Sequence, residues 1–394
     1  MSTLKSSSQA ERQLILLSAG TEARRELMRE HARRLMLDVE WSRLTETLRW
    51  RKLLPVLGPR IQELAQGSAS SEFLAAVEQA LEAGRRQGSF LQLVCQRVMA
   101  MLDGAGIRSA PLKGPQLGEA IYGDPGRRLS GDIDLLVAPE QLTAAVEVVR
   151  ALGYQAPRDY VHDHGLPLLH FVLVHTREEL PPVELHWRVH WYERSFARER
   201  LLPPVGHPSG DWRPAPADEL VALLLFYARD GFIDLRLAAD LSAWWDACGA
   251  GVRAGAVDEL LDVYPELARV IVVALNVAEK LVGLPAAQII NGARAHGAHG
   301  MREHIAVRLA NPNPHTSPSQ LYADMGLIDG LLAPRGGFGE FVRRQLLPPS
   351  AVLDEQARNG AKQRARSPLA RCAGMLTRYG LTLARLARSP EALS

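Results

Sequence analysis
The sequence predicts an α+β fold, a small mixed-sheet core flanked by N-terminal and C-terminal helical regions. Two observations predict it. Apolar residues recur at helical intervals through the first hundred residues and again after about residue 219. Between these stretches lie apolar runs of strand length at 107–112, 131–137, 168–175 and 183–191, interleaved with helical patterns at 116–121 and 139–152. The expected division is a helical cap at 1–100, the sheet-bearing core at 101–202 and a mostly helical domain at 203–394.

Composition narrows the class. A hydrophobic content of 47% with 23% charged residues is that of an ordinary globular protein and supplies a sizeable core. The net charge of +2 argues neither for nor against a nucleic-acid partner. Cys95, Cys248 and Cys372 are widely spaced, make no metal motif and imply no disulfide framework. The apolar run near the N-terminus is too short for a signal peptide, and no window approaches the roughly 20 apolar residues of a membrane span. The expected location is the cytoplasm.

In the helical cap, Leu14, Leu17, Leu27, Leu35 and Leu37 fall among charged neighbours, and Leu44 to Leu57 continue the pattern after Trp41. From Ser71 to Ala105 a long helix is expected, with Phe73, Val77, Leu81, Phe90, Leu93, Val94, Val98 and Leu102 at helical spacing.

Ile107 to Leu112 reads as a short strand that breaks at Lys113-Gly114-Pro115. Gly114 permits close backbone approach, and Pro115 suits the first position of a helix running to Ile121. The free N–H groups and positive dipole end of such a helix suit phosphate. Gly123-Asp124-Pro125-Gly126 makes a turn, followed by Arg127 and Arg128. Gly131 to Val137 then reads as a strand with Asp132 and Asp134 on one face and Ile133 and Leu135 on the other. Neighbouring carboxylates repel unless a cation relieves them, and hard oxygen donors suit Mg²⁺. Taken alone, the pair also fits a strand end with two solvated acids. A phosphate-suited loop and a cationic turn beside it are the layout needed to hold a nucleoside triphosphate with its metals.

These residues resemble the nucleotidyltransferase superfamily typified by DNA polymerase beta, and most of all its bacterial branch of uncharacterised nucleotidyltransferases. The resemblance rests on Leu112-Lys113-Gly114, Tyr122-Gly123, Arg128, Gly131-Asp132-Ile133-Asp134-Leu135-Leu136-Val137, and the later Glu184-Leu185-His186-Trp187-Arg188. It implies metal-dependent transfer of a nucleoside monophosphate from a triphosphate, with ATP the expected donor. The acceptor would be a hydroxyl of a small molecule, peptide or protein, and pyrophosphate would leave. It further implies that Asp132, Asp134 and Glu184 are the catalytic carboxylates and hold two Mg²⁺ or Mn²⁺ ions. Lys113, Gly114, Arg128 and Ser130 would meet the phosphates, with His186 and Arg188 as secondary candidates. Ser130 equally suits a turn cap. Where many members carry serine after the loop glycine this chain has Pro115, which leaves Lys113 as the expected contact.

Downstream, Pro139 to Leu152 reads as a helix, Leu168 to His175 as a buried strand and Val183 to Trp191 as the next strand. Glu184, His186, Arg188 and His190 would share one face of it, either a site or the wet side of an edge strand. His162, His164, His170, His175, His186 and His190 crowd this region without a familiar zinc-ligand spacing, so surface or core positions are expected for most. Leu202 to Pro216 is a proline-rich linker or wrapped loop, and Asp218 reads as the cap of a helix running to Arg229. Gly231 to Trp245, with Arg236 and Asp240, resembles a helical motif of the same family, although Asp230 stands where the family usually has histidine.

Val252 to Arg294 is helical by pattern, 311–319 and 334–339 read as loops, and helices are expected again at Phe341 and after Pro368. The basic stretch from Gln356 to Arg388 suits an anionic partner or a solvated helix face, and with Tyr379 its sole aromatic it gives no support for nucleic-acid base stacking. An Asp-x-Asp glycosyltransferase using a nucleotide sugar, or a non-catalytic regulatory or antitoxin-like module of the same fold, are the alternatives.

Overall fold
The computed structural model describes residues 9–155, 169–291, 300–310 and 318–347, with Thr377, Tyr379 and Gly380. Six helices come first: α1 Gln9–Ser18, α2 Glu22–Leu27, α3 Arg29–Met36, α4 Trp41–Trp50, α5 Leu54–Ala65 and α6 Ser71–Gly104. The sheet region follows as β1 Ser109–Pro111, α7 Pro115–Tyr122, β2 Ile133–Val137, α8 Leu142–Ala151, β3 Tyr154–Gln155, β4 His170–His175 and β5 Val183–His186. The rest is helical: α9 Pro216–Arg229, α10 Leu235–Cys248, α11 Ala256–Val263, α12 Ala268–Val282, α13 Ala286–Ile289, α14 Gly300–Ala310, α15 Pro318–Leu332 and α16 Phe338–Leu346. The α+β class with helical flanks is the one the sequence predicts.

The five strands form one mixed sheet in the order β1-β2-β5-β4-β3. β2 and β5 are parallel neighbours, and the other pairs are antiparallel. Alternation gives the sheet two faces of different character. Ile133, Leu135, Val137, Val183, Leu185, Phe171 and Leu173 point to one side. There they pack with Leu91, Cys95, Val98, Met99 and Leu102 of α6 and with Ala145, Val146 and Val149 of α8. The register puts Asp134, Glu184, His186 and His170 on the other side.

A second and larger apolar cluster joins the first half of α6, through Phe73, Val77 and Leu81, to α1, α5, α9, α10 and α12. Ser70 begins α6 by accepting a hydrogen bond from the Phe73 N–H at 3.2 Å. At mid-length α6 presents Gly84 and Gly88 to the short turn Pro125–Arg127. A Cβ on Gly84 would overlap the carbonyl of Gly126, and one on Gly88 would lie 3.2 Å from that of Pro125. The turn that leads into β2 is therefore seated directly on helix backbone.

Three expectations need correction. The strand expected over Val183 to Trp191 stops at His186. Beyond it the Glu193 carboxylate, not a neighbouring strand, takes the backbone N–H groups of Val189 and Ala197, at 3.3 and 3.2 Å. β4 is buried on one face only, since Val172 and Val174 face outward. Asp218 is not a cap. α9 starts at Pro216 behind Ala215, and Asp218 sits in its first turn, buried and bonded by Arg200 Nε at 2.9 Å. The 203–215 segment is a wrapped loop, whose Ser209 Oγ accepts the Ser109 N–H at 3.2 Å. His162, His164, Leu168, Cys372, the loop at 311–317, the helix expected after Pro368 except for Thr377, Tyr379 and Gly380, and the basic residues between Gln356 and Arg388 lie outside the described residues.

Two outcomes are expected. Gly84→Ala should lower stability by about 1–3 kcal/mol in denaturant titration, because backbone has to move to admit the methyl group. Gly104→Ala, with open space around it, should not. Burial pushes the Glu193 carboxyl up to about 7, above its ordinary 4.5. Between those values the folded chain keeps a proton that the unfolded chain has lost. Glu193 therefore makes stability fall as pH rises from about 4.5 to 7, by on the order of 3 kcal/mol. Glu193→Gln should lack this fall when melting temperatures are compared across that range, whatever its stability at a single pH.

Candidate active site
The site is assembled from the loop between β1 and α7, the start of β2, the strand β5 and the end of α9. Leu112 N–H bonds Asp134 O at 3.1 Å, which carries the antiparallel pairing one residue past β1 and fixes the loop beside β2. Gly114 then adopts φ 92°, a backbone conformation that L side chains rarely adopt, and Pro115 opens α7.

Lys113 is folded inward. Its Nζ lies 3.6 Å from Asp134 Oδ2 and 4.4 Å from the centre of the Phe226 ring. Burial lowers its pKa, and Asp134 partly offsets this. A second cation shares the same ring: Arg229 Cζ stands 4.9 Å from the Phe226 centre. Arg229 Nε bonds Asp230 at 3.1 Å, while its Nη1 is buried without a hydrogen-bond partner.

Asp134 is 7% exposed and lies opposite Glu184 in the parallel register of β2 and β5. His186 Nε2–H donates to both carboxylates, at 2.9 Å to Asp134 Oδ1 and 3.2 Å to Glu184 Oε2. His170, paired with His186 across β4 and β5, places its Nε2 3.5 Å from the same Glu184 oxygen. The two imidazole rings are 4.6 Å apart. Burial alone would raise the Asp134 carboxyl. The hydrogen bond from His186 and the charges of Lys113, His186 and Arg229 outweigh it and hold Asp134 well below the usual carboxylate range. Burial, with His186 alongside, pushes His170 down to about 4, so this ring is neutral at neutral pH.

Asp132 stands just before β2 and is half-buried. Ser130 Oγ donates to its Oδ1 at 2.8 Å, so the Ser130 hydroxyl is spent on orienting a carboxylate. Arg128 is 4% exposed and bonds Asp240 Oδ2 at 2.8 Å, and the Tyr122 hydroxyl donates to Asp240 Oδ1 at 2.9 Å. Its guanidinium is thus committed to a buried ion pair with α10. Arg188 lies past the end of β5 and approaches Glu340 at 4.0 Å, away from the carboxylates. The structure therefore brings Lys113, Asp134, Glu184 and His186 together, pairs Ser130 with Asp132 just before β2, and sends Arg128 and Arg188 elsewhere.

Sequence reasoning passed over His170, Phe226 and Arg229. Only the β4–β5 register, which pairs His170 with His186, reveals His170. The other two would have needed the docking of α9. Beside Lys113 a cleft of about 300 Å³ opens between α7 and α9, with Gln116, Leu117, Trp212, Arg213 and Leu223 in its walls.

The family model described as uncharacterised nucleotidyltransferase matches residues 38–283, which include every strand of the sheet. No curated protein and no solved structure matches the chain.

The buried pair gives a direct test of what anchors the loop. Asp240→Asn should destabilise the protein by about 3–5 kcal/mol in equilibrium unfolding, because Arg128 is left charged and unpaired. Replacing the arginine as well, in Arg128→Met with Asp240→Asn, should recover part of that loss.

Proposed function
The chain belongs to the uncharacterised nucleotidyltransferase family, and on that premise we propose that it transfers a nucleoside monophosphate from a triphosphate to a hydroxyl acceptor, with pyrophosphate as the leaving group. The observation that carries this reading is the pairing of Asp134 with Glu184 across parallel strands, with the Lys113 ammonium 3.6 Å from Asp134. Superfamily chemistry of the DNA polymerase beta type needs two or three carboxylates at one end of a sheet and a cation beside them.

The donor set fits a divalent ion such as Mg²⁺ or Mn²⁺. Two carboxylates face each other at a buried position where a single imidazole N–H is shared between them. Asp132, Asp134 and Glu184 would be the ligands. A bound ion supplies positive charge to the triphosphate oxygens and acidifies the attacking hydroxyl.

The remaining work falls to the chain. Lys113 and Arg229 neutralise phosphate charge, and the Phe226 ring that both cations contact helps to keep them in place beside their carboxylate neighbours Asp134 and Asp230. The first free N–H groups of α7, at Gln116 and Leu117, face phosphate, since Pro115 has none to offer. The cleft beside Lys113 takes the nucleoside, with its apolar walls against the base. The acceptor oxygen attacks the α-phosphorus, the bond to the bridging oxygen breaks, and Glu184 receives the hydroxyl proton.

Labelled triphosphates offered one at a time with Mg²⁺ and cell extract should label one acceptor, with ATP the expected donor. Glu184→Gln should lower transfer roughly a hundredfold or more, and Lys113→Ala should weaken triphosphate binding about tenfold with a smaller effect on folding. Calorimetry on the wild-type chain that finds a sugar nucleotide bound and no triphosphate, or neither, would overturn the reading.

A further inference from the structure
We propose that His170, Glu184 and His186 form a binding site for a divalent transition metal of the zinc class, selective against Mg²⁺. The inference deepens the reading above and rests on it for a role in the reaction, because Glu184 belongs to both. Its basis is separate: three ligand atoms from two antiparallel strands that converge on one point.

The spacing is that of a metal shell. His170, Glu184 and His186 each offer one ligand atom, and these three atoms lie within 4.8 Å of one another. Of the two contacts to the glutamate oxygen, the 3.5 Å from His170 falls within the ligand–ligand separations of about 3.3–3.6 Å expected when ligands sit roughly 2.0–2.2 Å from a tetrahedral ion, and the 3.2 Å hydrogen bond from His186 is just short of them. Asp134 Oδ1 lies 2.9 Å from His186 Nε2, outside this group of three.

The donor types set the metal class. Two imidazole nitrogens with one carboxylate favour borderline ions such as Zn²⁺, whereas Mg²⁺ prefers an all-oxygen shell. The polar contacts of both rings run through Nε2 into the cluster, so a bound ion displaces the Nε2 proton that His186 shares between the carboxylates, and Nδ1 of each ring, without a hydrogen-bond partner among the described residues, carries the remaining proton. The β4–β5 register holds the rings side by side, 4.6 Å apart.

The test uses the full chain freed of metal by chelation. Co²⁺ serves as a spectroscopic probe for Zn²⁺, and Co²⁺, Zn²⁺ and Mg²⁺ are titrated by calorimetry. The expected result is Co²⁺ and Zn²⁺ affinity at least about tenfold above that for Mg²⁺, with a visible d–d band from Co²⁺ in nitrogen-containing coordination. His170→Ala, at a partly exposed position, should lose at least about tenfold in Co²⁺ affinity and shift that band. His186→Gln keeps an N–H donor for the two carboxylates and should lose Co²⁺ affinity as well. Equal affinity for Co²⁺ and Mg²⁺ in the wild-type chain, or an unchanged band and affinity in a folded His170→Ala variant, overturns the proposal. ATP binding by the wild-type chain in Mg²⁺ alone separates the two readings. Triphosphate binding without Co²⁺ selectivity removes the metal proposal only, and Co²⁺ selectivity without triphosphate binding supports it while removing the transferase reading.

Discussion

A buried carboxylate ties the loop and turn beside the candidate active site to the helical body. Asp240 of α10, fully buried, receives the Arg128 guanidinium on one oxygen and the Tyr122 hydroxyl on the other. Tyr122 closes α7 and Arg128 leads into β2, so the two contacts clamp both ends of the turn between them. Arg236, one helical turn before Asp240, adds a bond to the Leu129 carbonyl at 2.9 Å. A charge pair this deep is costly to desolvate, and its directional bonds give the loop and turn a defined place against α10. From that docking follow the position of Lys113 and the entry of the chain into β2.

Within the site itself charge is arranged in layers. Acidic groups occupy the sheet, cations stand above them on loop and helix, and Phe226 lies among the cations. An aromatic ring attracts a cation less strongly than a carboxylate does. Lys113 and Arg229 share that ring, and each also has one carboxylate neighbour, Asp134 for the lysine and Asp230 for the arginine. His186 does the complementary work below, where one N–H bridges two carboxylates that would otherwise repel across the strand pair.

What could be read from the sequence was what local chemistry fixes. The break at Lys113-Gly114-Pro115, the acidic strand after it and the face shared by Glu184 and His186 depend on neighbours within a few residues. The commitments of other residues depend on partners far along the chain. Arg128 reads as a free cation in sequence because Asp240 is 112 positions away. His170 reads as one histidine among six until β4 pairs with β5. Arg188 reads in sequence as part of a strand because alternation persists past His186, where the pairing ends.

The long helix α6 has a consequence for how the molecule comes apart. Its first half lies in the larger apolar cluster with α5 and its second half lies under the sheet with α8, while the glycines at its centre carry the turn that feeds β2. At about 1.5 Å per residue its 34 residues span roughly 50 Å, far more than either cluster needs alone. Neither cluster can melt without stripping half of this rod of its packing, and a half-packed helix with two central glycines is a poor helix. Unfolding of the sheet and of the helical body should therefore be cooperative, with site and scaffold lost in a single transition.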